Sequence, residues 1–376
     1  MKGHTRKRGN KWAFVIDEGR HEDGRRRQRW HSGFRTQTEA HEALVKTLHQ
    51  LNNGAYVAPN KVTVGDWFRE WLARTSPRPS TRALYETLTM NYIVPALGGT
   101  PLQRLTTGQV NAFYRGLESK GGRKGALSPK TIRHIHATLR AAVNAAVAEG
   151  GIVHRNVVTQ ASPPKLERRE MLTWSAAELK RFLGAVEDER LYPAFVLAAS
   201  TGARRGEVLG VRWRDLDLDG ATLTVRQALI VVNYRVITSS PKTDGARRSI
   251  ALDPDTVAAL RAWRARVLEE RLVLGLGAPG PDTLVFTRED GSHLHPGEFA
   301  KHFRRPVKAA GVPAIRYHDL RHTHASLCLL AGVHVKVVSE RLGHSSVAIT
   351  LDTYSHVIPA MDADAAVRVM QIVKSA

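Results

Sequence analysis

The chain of 376 residues has one cysteine and fewer acidic residues than basic ones. A single cysteine, Cys328, excludes an intrachain disulfide, and its neighbours in the apolar run 327–330 suggest that the thiol fills a core. No run of about 18 uncharged apolar residues occurs, which argues against a transmembrane helix. Residues 1–8 are polar and charged, unlike a secretory signal. We therefore expect a cytoplasmic protein with no membrane partner.

The shortage of negative charge points to a polyanionic partner. The chain has 56 Lys and Arg against 35 Asp and Glu, a formal charge of +21 and a sequence pI near 10.5. Such a charge is typical of proteins that bind nucleic acid. A GC-rich genome also produces arginine-rich, basic proteins, so the sequence motifs must decide whether the chain binds nucleic acid.

The length and the 42% of apolar residues predict two or three packed domains. Residues 1–56 contain two strand-like runs, 11–16 and 25–34, separated by a turn-rich segment and followed by a predicted helix over 36–51. Thr36 or Thr38 is a suitable N-cap for this helix. The pattern predicts a small sheet with a basic face.

Four arginines, Arg25, Arg26, Arg27 and Arg29, lie on the second of these predicted strands. They could lie along phosphates or enter a groove of DNA. The alternative is a charged, solvated edge strand that prevents aggregation.

Residues 62–158 show the apolar periodicity of a helical domain. The predicted helices cover 64–72, 80–88, 105–113 and 128–147. Ser80 is the expected start of the second helix, and Ser128 followed by Pro129 is a strong start for the last. Lys130, Arg133 and Arg140 on the last helix could contact a duplex, or they could be ordinary solvated charges.

A proline-rich, charged linker over 161–170 separates this domain from a third, residues 171–376. The third domain opens with a capping box from Ser175 to Glu178. Three strand-like runs interrupt its helices and predict one small sheet: 222–226, 234–238 and 247–252. The expected architecture is multidomain, mainly α with small β-sheets, an α+β fold.

The third domain holds two arginines in contexts suited to phosphate chemistry. Cleaving a phosphodiester without a metal requires positive charge on the nonbridging oxygens, an aligned nucleophile and a proton for the leaving oxygen. Arg204 and Arg321 are candidates for a phosphate clamp, because a guanidinium stays charged and its fork matches two oxygens. Glu207, three residues after Arg204, could hold a guanidinium in place.

Histidines cluster at the predicted start of a helix that contains Arg321 and ends before Gly332. His318 and Arg321 are three residues apart and should share a face, where a phosphate would also gain from the helix dipole. His318 and His322 have i, i+4 spacing, which raises zinc as an alternative, but no cysteine or His-Glu-x-x-His arrangement accompanies them. For these rings and for His324, packing or capping is the stronger alternative to a metal.

Two further side chains complete the candidate chemistry. Lys242 lies in a turn between predicted strands and could donate a proton to a leaving 5′ oxygen. Tyr354 is a candidate nucleophile whose phenol requires activation near neutral pH. We expect neighbouring cationic groups to favour its phenolate.

The order and spacing of these residues resemble the tyrosine recombinase family, specifically phage-type integrases in their long form. The resemblance assigns active-site positions to six residues: Arg204, Lys242, His318, Arg321, His344 and Tyr354. It also implies that residues 1–56 are an arm-type DNA-binding domain, 62–158 a helical core-binding (SAM-like) domain and 171–376 the catalytic domain.

The resemblance further implies a site-specific recombinase that integrates or excises a mobile element. Tyr354 would form a 3′-phosphotyrosyl bond, with Arg204, Arg321 and His344 stabilising the transition state, His318 assisting proton transfer and Lys242 protonating the leaving oxygen. No metal or other cofactor is implied. A type IB topoisomerase and a noncatalytic DNA-binding regulator are the alternatives.

The partners implied by the resemblance are double-stranded DNA, with core and arm attachment sites, and three further copies of the chain in a homotetramer on DNA. A host DNA-bending protein and a directionality factor are further possible partners. Residues 362–370 read as a helix that docks on a neighbouring copy or closes its own domain.

Overall fold

The structure is a computed structural model that describes residues 3–20, 24–122, 125–167, 171–240, 247–354, 371, 373 and 374, with only the backbone of 18–20. The chain forms two compact units, residues 1–167 and 168–376. Within the described ranges, no helix has both the length and the apolar character needed to cross a membrane.

The N-terminal part of the first unit is a three-stranded antiparallel sheet with one helix. Its elements are β1 (Gly3–Arg8), β2 (Lys11–Arg20), β3 (Arg26–Phe34) and α1 (Gln37–Asn52), with strand order β1-β2-β3. Thr36 caps α1 by accepting from the Glu39 amide, as predicted. β1 is polar and largely exposed, so it has no hydrophobic alternation, and for that reason the sequence did not indicate it.

The rest of the first unit is helical. Its helices are α2 (Val64–Arg74), α3 (Pro79–Leu88), α4 (Val94–Leu97), α5 (Thr107–Lys120) and α6 (Pro129–Glu149), with a π-helical turn over Thr89–Ile93. All four predicted helices are present, and Ser128 caps α6 as expected. The prediction that Ser80 starts the second helix was wrong, since α3 begins at Pro79, where proline suits the first helical position.

The sheet and the helices of this unit have separate hydrophobic cores. Phe14 and Ile16 of β2 pack with Leu44 of α1, while Trp67 lies in the helical core and donates from Nε1 to the Ala142 carbonyl at 2.7 Å. The division of the chain into domains 1–56, 62–158 and 171–376 stays a prediction.

The second unit contains most of the helices and two small β-structures. Its elements are α7 (Ala176–Ala185), α8 (Tyr192–Thr201), α9 (Arg205–Leu209), β4 (Leu216–Asp217), β5 (Thr222–Val225), β6 (Ala228–Val232), β7 (Arg235–Ser239), β8 (Arg248–Ala251), α10 (Pro254–Val273), α11 (Pro296–His302), α12 (Arg304–Ala309), α13 (Asp319–Leu330), α14 (Val335–Leu342) and α15 (Val347–Tyr354). The capping box from Ser175 to Glu178 is present as predicted.

The three predicted strands of this unit do not form one sheet. β5 and β8 pair in a sheet of order β4-β5-β8, whereas β7 pairs with β6 in a separate hairpin. Asn233 and Tyr234 at the hairpin turn have φ values of 48° and 64°, the left-handed conformation of a tight two-residue turn. This turn makes β6 the partner of β7, which strand propensity alone cannot specify.

Candidate active site

Arg204 is held at the junction of two short helical segments. α8 ends at Gly202, whose φ is 63°, and a Cβ there would lie 2.6 Å from a ring carbon of His324, so the close approach requires glycine. Arg204 follows and donates from its backbone amide and its Nη1 to Glu207 at 2.8 and 2.9 Å. The predicted contact between Glu207 and a guanidinium is therefore present.

Glu207 has a second arginine partner that the sequence did not single out. Arg248 of β8 donates from Nη2 to Glu207 at 2.8 Å and from Nε to the Arg341 carbonyl at 2.6 Å. Burial acts to raise the pKa of Glu207, but the hydrogen bond and charge of Arg248, together with Arg204, lower it to about 2. The carboxylate is therefore ionised at neutral pH and fixes both guanidinium groups.

Arg321, on α13, is buried beside the Arg204 loop. Its Nη1 donates to the Gly202 carbonyl at 2.9 Å, whereas its Nη2 is buried and has no hydrogen-bond partner among the described residues. Burial, and then the charge of Arg204, lower the pKa of Arg321 to about 9, which still leaves it charged at pH 7. An unpaired buried donor is costly, and an anionic oxygen would satisfy it.

Tyr354 is the last residue of α15 and is buried with a relative exposure of 1%. Its hydroxyl lies 2.9 Å from Nδ1 of His322. Burial raises the pKa of Tyr354 to about 12, and Arg321 opposes this only in part. Arg321 favours the phenolate, as expected of a cationic neighbour, but desolvation outweighs its charge and the net shift of the pKa is upward.

His322 is the functional candidate that sequence reasoning missed. Its spacing to His318 suggested zinc or packing, yet its Nδ1 faces the Tyr354 hydroxyl, a contact from a helix 32 positions along the chain. Burial, and then the charge of His318, lower the pKa of His322 to about 4. The ring is therefore neutral at pH 7 and can accept a hydrogen bond from the phenol.

His318 and His344 are the two other histidines that the sequence assigned to the site. His318 precedes α13, and its ring centroid is 5.2 Å from that of His322. His344 follows Gly343, whose carbonyl accepts from Nη2 of Arg204 at 3.2 Å. Nδ1 of His344 lies 2.8 Å from the Thr350 hydroxyl. Burial and then Arg321 lower the pKa of His344 to about 4, so this ring is neutral at pH 7.

The remaining sequence predictions concern Lys242, residues 362–370 and His324. Lys242 lies outside the described residues, as does the proposed docking helix 362–370. His324 is a packed histidine, with Nδ1 2.9 Å from the Ala199 carbonyl and Nε2 3.5 Å from the sulfur of the partly buried Cys328. In the described part of the chain, no group of three or more His, Cys, Asp or Glu is arranged to hold a metal ion.

The arginines predicted to contact DNA from the N-terminal sheet do not share one face. Arg29 pairs with Ile16, so it lies on the face of the sheet that α1 covers, and strand alternation puts Arg27 on the same side. Arg26 lies on the opposite, open face, and Arg25 precedes the strand. The run of arginines is therefore divided between the two faces of the sheet.

The open face of this sheet carries basic and aromatic residues that the sequence reading did not assign. Arg6 of β1 pairs with Ala13, opposite the helix-facing residues of β2. Arg8 lies 5.9 Å from the ring centroid of Trp30, whose relative exposure is 42%. Recognising β1 as a strand was needed to find Arg6 and Arg8.

Lys130, Arg133 and Arg140 are all exposed on α6, as the helical pattern predicted. Their spacing of three and seven residues puts them on one side of the helix, and the buried side faces the core with Ile132 and Ile135. Arg133 also donates to the Pro164 carbonyl at 3.4 Å. The three side chains form one basic stripe.

Comparison with known proteins identifies the class of enzyme. Residues 173–361 match the phage integrase family, and residues 4–51 match an arm DNA-binding domain. A tyrosine recombinase XerC-like protein of Caldanaerobacter subterraneus subsp. tengcongensis is 31% identical over 374 aligned residues, which cover 94% of each chain. The chain therefore belongs to the phage integrase family, the tyrosine recombinases, and the predicted activity of site-specific DNA recombination by strand transesterification is confirmed.

Further similarities agree with this assignment. The integrase of Mycobacterium phage FRAT1 is 28% identical over 84% of this chain and 90% of its own. The fold resembles that of the Tn1549 transposon integrase in complex with transposon right-end DNA, with a TM-score of 0.65, 22% identity, and coverage of 78% of this chain and 94% of that one. The predicted fold class is confirmed, and none of these similarities favours a topoisomerase or a noncatalytic regulator.

Proposed function

We propose that Tyr354 is the nucleophile of strand cleavage and that Arg204, Arg321 and His344 hold the scissile phosphate. The observation that carries this proposal is the Arg321 side chain, with Nη1 fixed on Gly202 and a buried Nη2 that lacks a partner among the described residues. A nonbridging phosphate oxygen supplies the missing acceptor and pairs with the buried charge. The partly exposed Arg204, held by Glu207, provides the second guanidinium.

In the proposed reaction the Tyr354 oxygen attacks phosphorus and the bond to the 5′ oxygen breaks. The products are a 3′-phosphotyrosyl bond and a 5′ hydroxyl, and the number of phosphate ester bonds does not change. We assign the proton for the leaving oxygen to Lys242 and assistance in proton transfer to His318. Attack by the 5′ hydroxyl of a partner duplex reverses the step and rejoins the strands.

The raised pKa of Tyr354 bears on how it is activated. With a pKa of about 12, on the order of one molecule in 100,000 carries a phenolate at pH 7. Loss of the proton during attack, to a nearby base, avoids this small population. His322 is neutral at this pH and already bonded to the hydroxyl, so we propose that it positions the phenol for this transfer.

We further propose a division of DNA binding along the chain. Residues 1–56 bind arm-type sites, residues 62–158 bind the core site, and residues 171–376 perform the chemistry. The arm-type role is supported by the open face with Arg6, Arg8 and Trp30 and by Arg25, Arg26, Arg27 and Arg29 around β3. The basic stripe Lys130, Arg133 and Arg140 on α6 supports core binding.

Exchange of two duplexes requires cleavage of four strands, and each chain supplies one Tyr354. We therefore propose a homotetramer on DNA that acts in the bacterial cytoplasm. Separate arm and core sites must also be brought together by one chain, which a host DNA-bending protein would assist. A directionality factor would then bias integration or excision.

A nicked suicide duplex with the attachment core tests the nucleophile. The wild-type protein is expected to give a covalent adduct on a denaturing gel, which peptide mass spectrometry maps to Tyr354, and the Tyr354→Phe variant gives none. Tyr234→Phe is the matched control, because Tyr234 is 95% exposed and more accessible than Tyr354. An adduct that persists in Tyr354→Phe, or that maps to another residue, would contradict the proposal.

A further inference from the structure

A cleft beside the two β-structures of the second unit is lined by four arginines that the proposed chemistry does not use. It encloses about 310 Å³, and its walls include Arg212, Arg214, Arg226, Arg247, Thr238 and Ser240. Each of these side chains carries a hydrogen-bond donor. The cleft is therefore basic and carries hydrogen-bond donors of the kind that bind an anion.

The arginines differ in how firmly they are held. Arg212 donates from Nε and Nη2 to Asp215 at 2.8 and 3.1 Å, and the Asp215 side chain is 1% exposed, so this pair is part of the framework. Arg212 and Arg214 also pair with the exposed Asp282 at 3.1 Å. These contacts hold Arg212 firmly, whereas Arg214 has an exposed surface ion pair and a side chain that is 50% exposed.

Arg226 and Arg247 have weaker or fewer partners within the described part of the chain. Arg226 reaches Asp215 only at 3.4 Å, and its side chain is 57% exposed. Arg247 is exposed and has no hydrogen bond or ion pair within the described part of the chain. Among the described residues, these four guanidinium groups have two carboxylate partners, Asp215 and Asp282, so positive charge exceeds negative charge by two. Like charges held this close together favour the binding of an anion.

We propose that this cleft binds a backbone phosphate of the DNA duplex other than the scissile phosphate. The inference rests on the proposed function in one respect, namely that duplex DNA is the substrate. Arg226 and Arg247 donate to the phosphate oxygens, while Arg212 and Arg214 supply further positive charge. The hydroxyls of Thr238 and Ser240 provide further donors.

The salt dependence of DNA binding tests the proposal. In a Tyr354→Phe background, which separates binding from cleavage, the double variant Arg226→Gln/Arg247→Gln is compared with the parent by fluorescence anisotropy on a labelled mixed-sequence duplex. The slope of log affinity against log salt concentration is expected to fall by about 0.9 for the phosphate contact that is lost. Lys180→Gln/Arg181→Gln on α7 removes the same charge away from the cleft and is expected to keep the parental slope.

Three results would overturn the assignment. The first is a salt dependence of DNA affinity in the double variant that equals that of the parent. The second is an equal fall in the slope for the Lys180→Gln/Arg181→Gln control. The third is that inorganic phosphate stabilises the parent but not the double variant, while the slope for DNA binding is the same in both. The last result would identify a site for small anions. If the double variant fails to fold, Arg247→Gln alone decides, because this exposed side chain has no hydrogen bond or ion pair to lose within the described residues.

Adduct formation by the wild-type protein is measured in parallel on the suicide duplex. If the wild-type protein forms the adduct but the double variant has the parental slope, only the proposal for the cleft is refuted. If the slopes differ as expected but the wild-type protein forms no adduct, only the role of Tyr354 is refuted.

Discussion

Replacement of Glu207 by glutamine tests how the buried carboxylate organises the active site. Glu207 lies between Arg204 and Arg248, and the side chains of Glu207 and Arg248 are 9% and 7% exposed. A neutral amide keeps the shape but removes the charge and turns an NH₂ group toward guanidinium donors. We expect the variant to lose stability in the second unit and to misplace Arg204.

The magnitude follows from the pKa. Glu207 titrates at about 2 instead of 4.5, which corresponds to about 3 kcal/mol of stability at pH 7. Breaking a buried ion pair by removing one partner costs about 3–5 kcal/mol, which agrees with this figure. Because the folded-state pKa lies below the unfolded value, this stability is complete at pH values above about 4.5 and is lost as the pH falls toward 2.

Urea unfolding followed by hydrogen exchange and mass spectrometry measures the effect. Peptides from α9 and α10 report on the second unit separately from those of α6. The difference between wild type and Glu207→Gln should be about 3 kcal/mol at pH 7 and about 2 kcal/mol at pH 3.5. The control is Glu298→Gln, which breaks an exposed pair with Lys301 and should have little effect.

Two outcomes would refute the reasoning about Glu207. One is a loss below about 1 kcal/mol, the size of an ordinary surface change. The other is a difference in the free energy of unfolding between wild type and Glu207→Gln that does not decrease as the pH is lowered. Strand cleavage by the variant should also fall, by about 100-fold, since the guanidinium of Arg204 loses its anchor.

Three further predictions concern DNA cleavage and binding. Arg321→Ala should lower cleavage of the suicide duplex by several orders of magnitude and leave core-site binding largely intact, and an equal loss of both would contradict the clamp. Deletion of residues 1–56 should abolish footprints on arm-type sites but keep those on the core site, so unchanged arm footprints would exclude the proposed division. His322→Ala should remove the hydrogen bond to Tyr354 and destabilise the second unit by about 1 kcal/mol in the urea assay, and an unchanged midpoint would show that the bond contributes nothing.

The sequence by itself determined the features that depend on residues close together in the chain. The caps at Thr36, Ser128 and Ser175 depend on side chains only three residues away, so they can be read directly. The pairing of Arg204 with Glu207 is equally local. The order of the candidate active-site residues also sufficed to predict the family and the activity.

Long-range contacts were decided only by the tertiary structure. The bond between His322 and Tyr354 and the contact of Arg248 with Glu207 join residues that are 32 and 41 positions apart, and residue type does not encode such contacts. The pairing of β7 with β6 is local, but it depends on the left-handed turn at Asn233 and Tyr234 and not on strand propensity. The direction of the Tyr354 pKa shift belongs here too. Cationic neighbours are visible in the sequence, but the burial that outweighs them exists only once α13, α14 and α15 pack together.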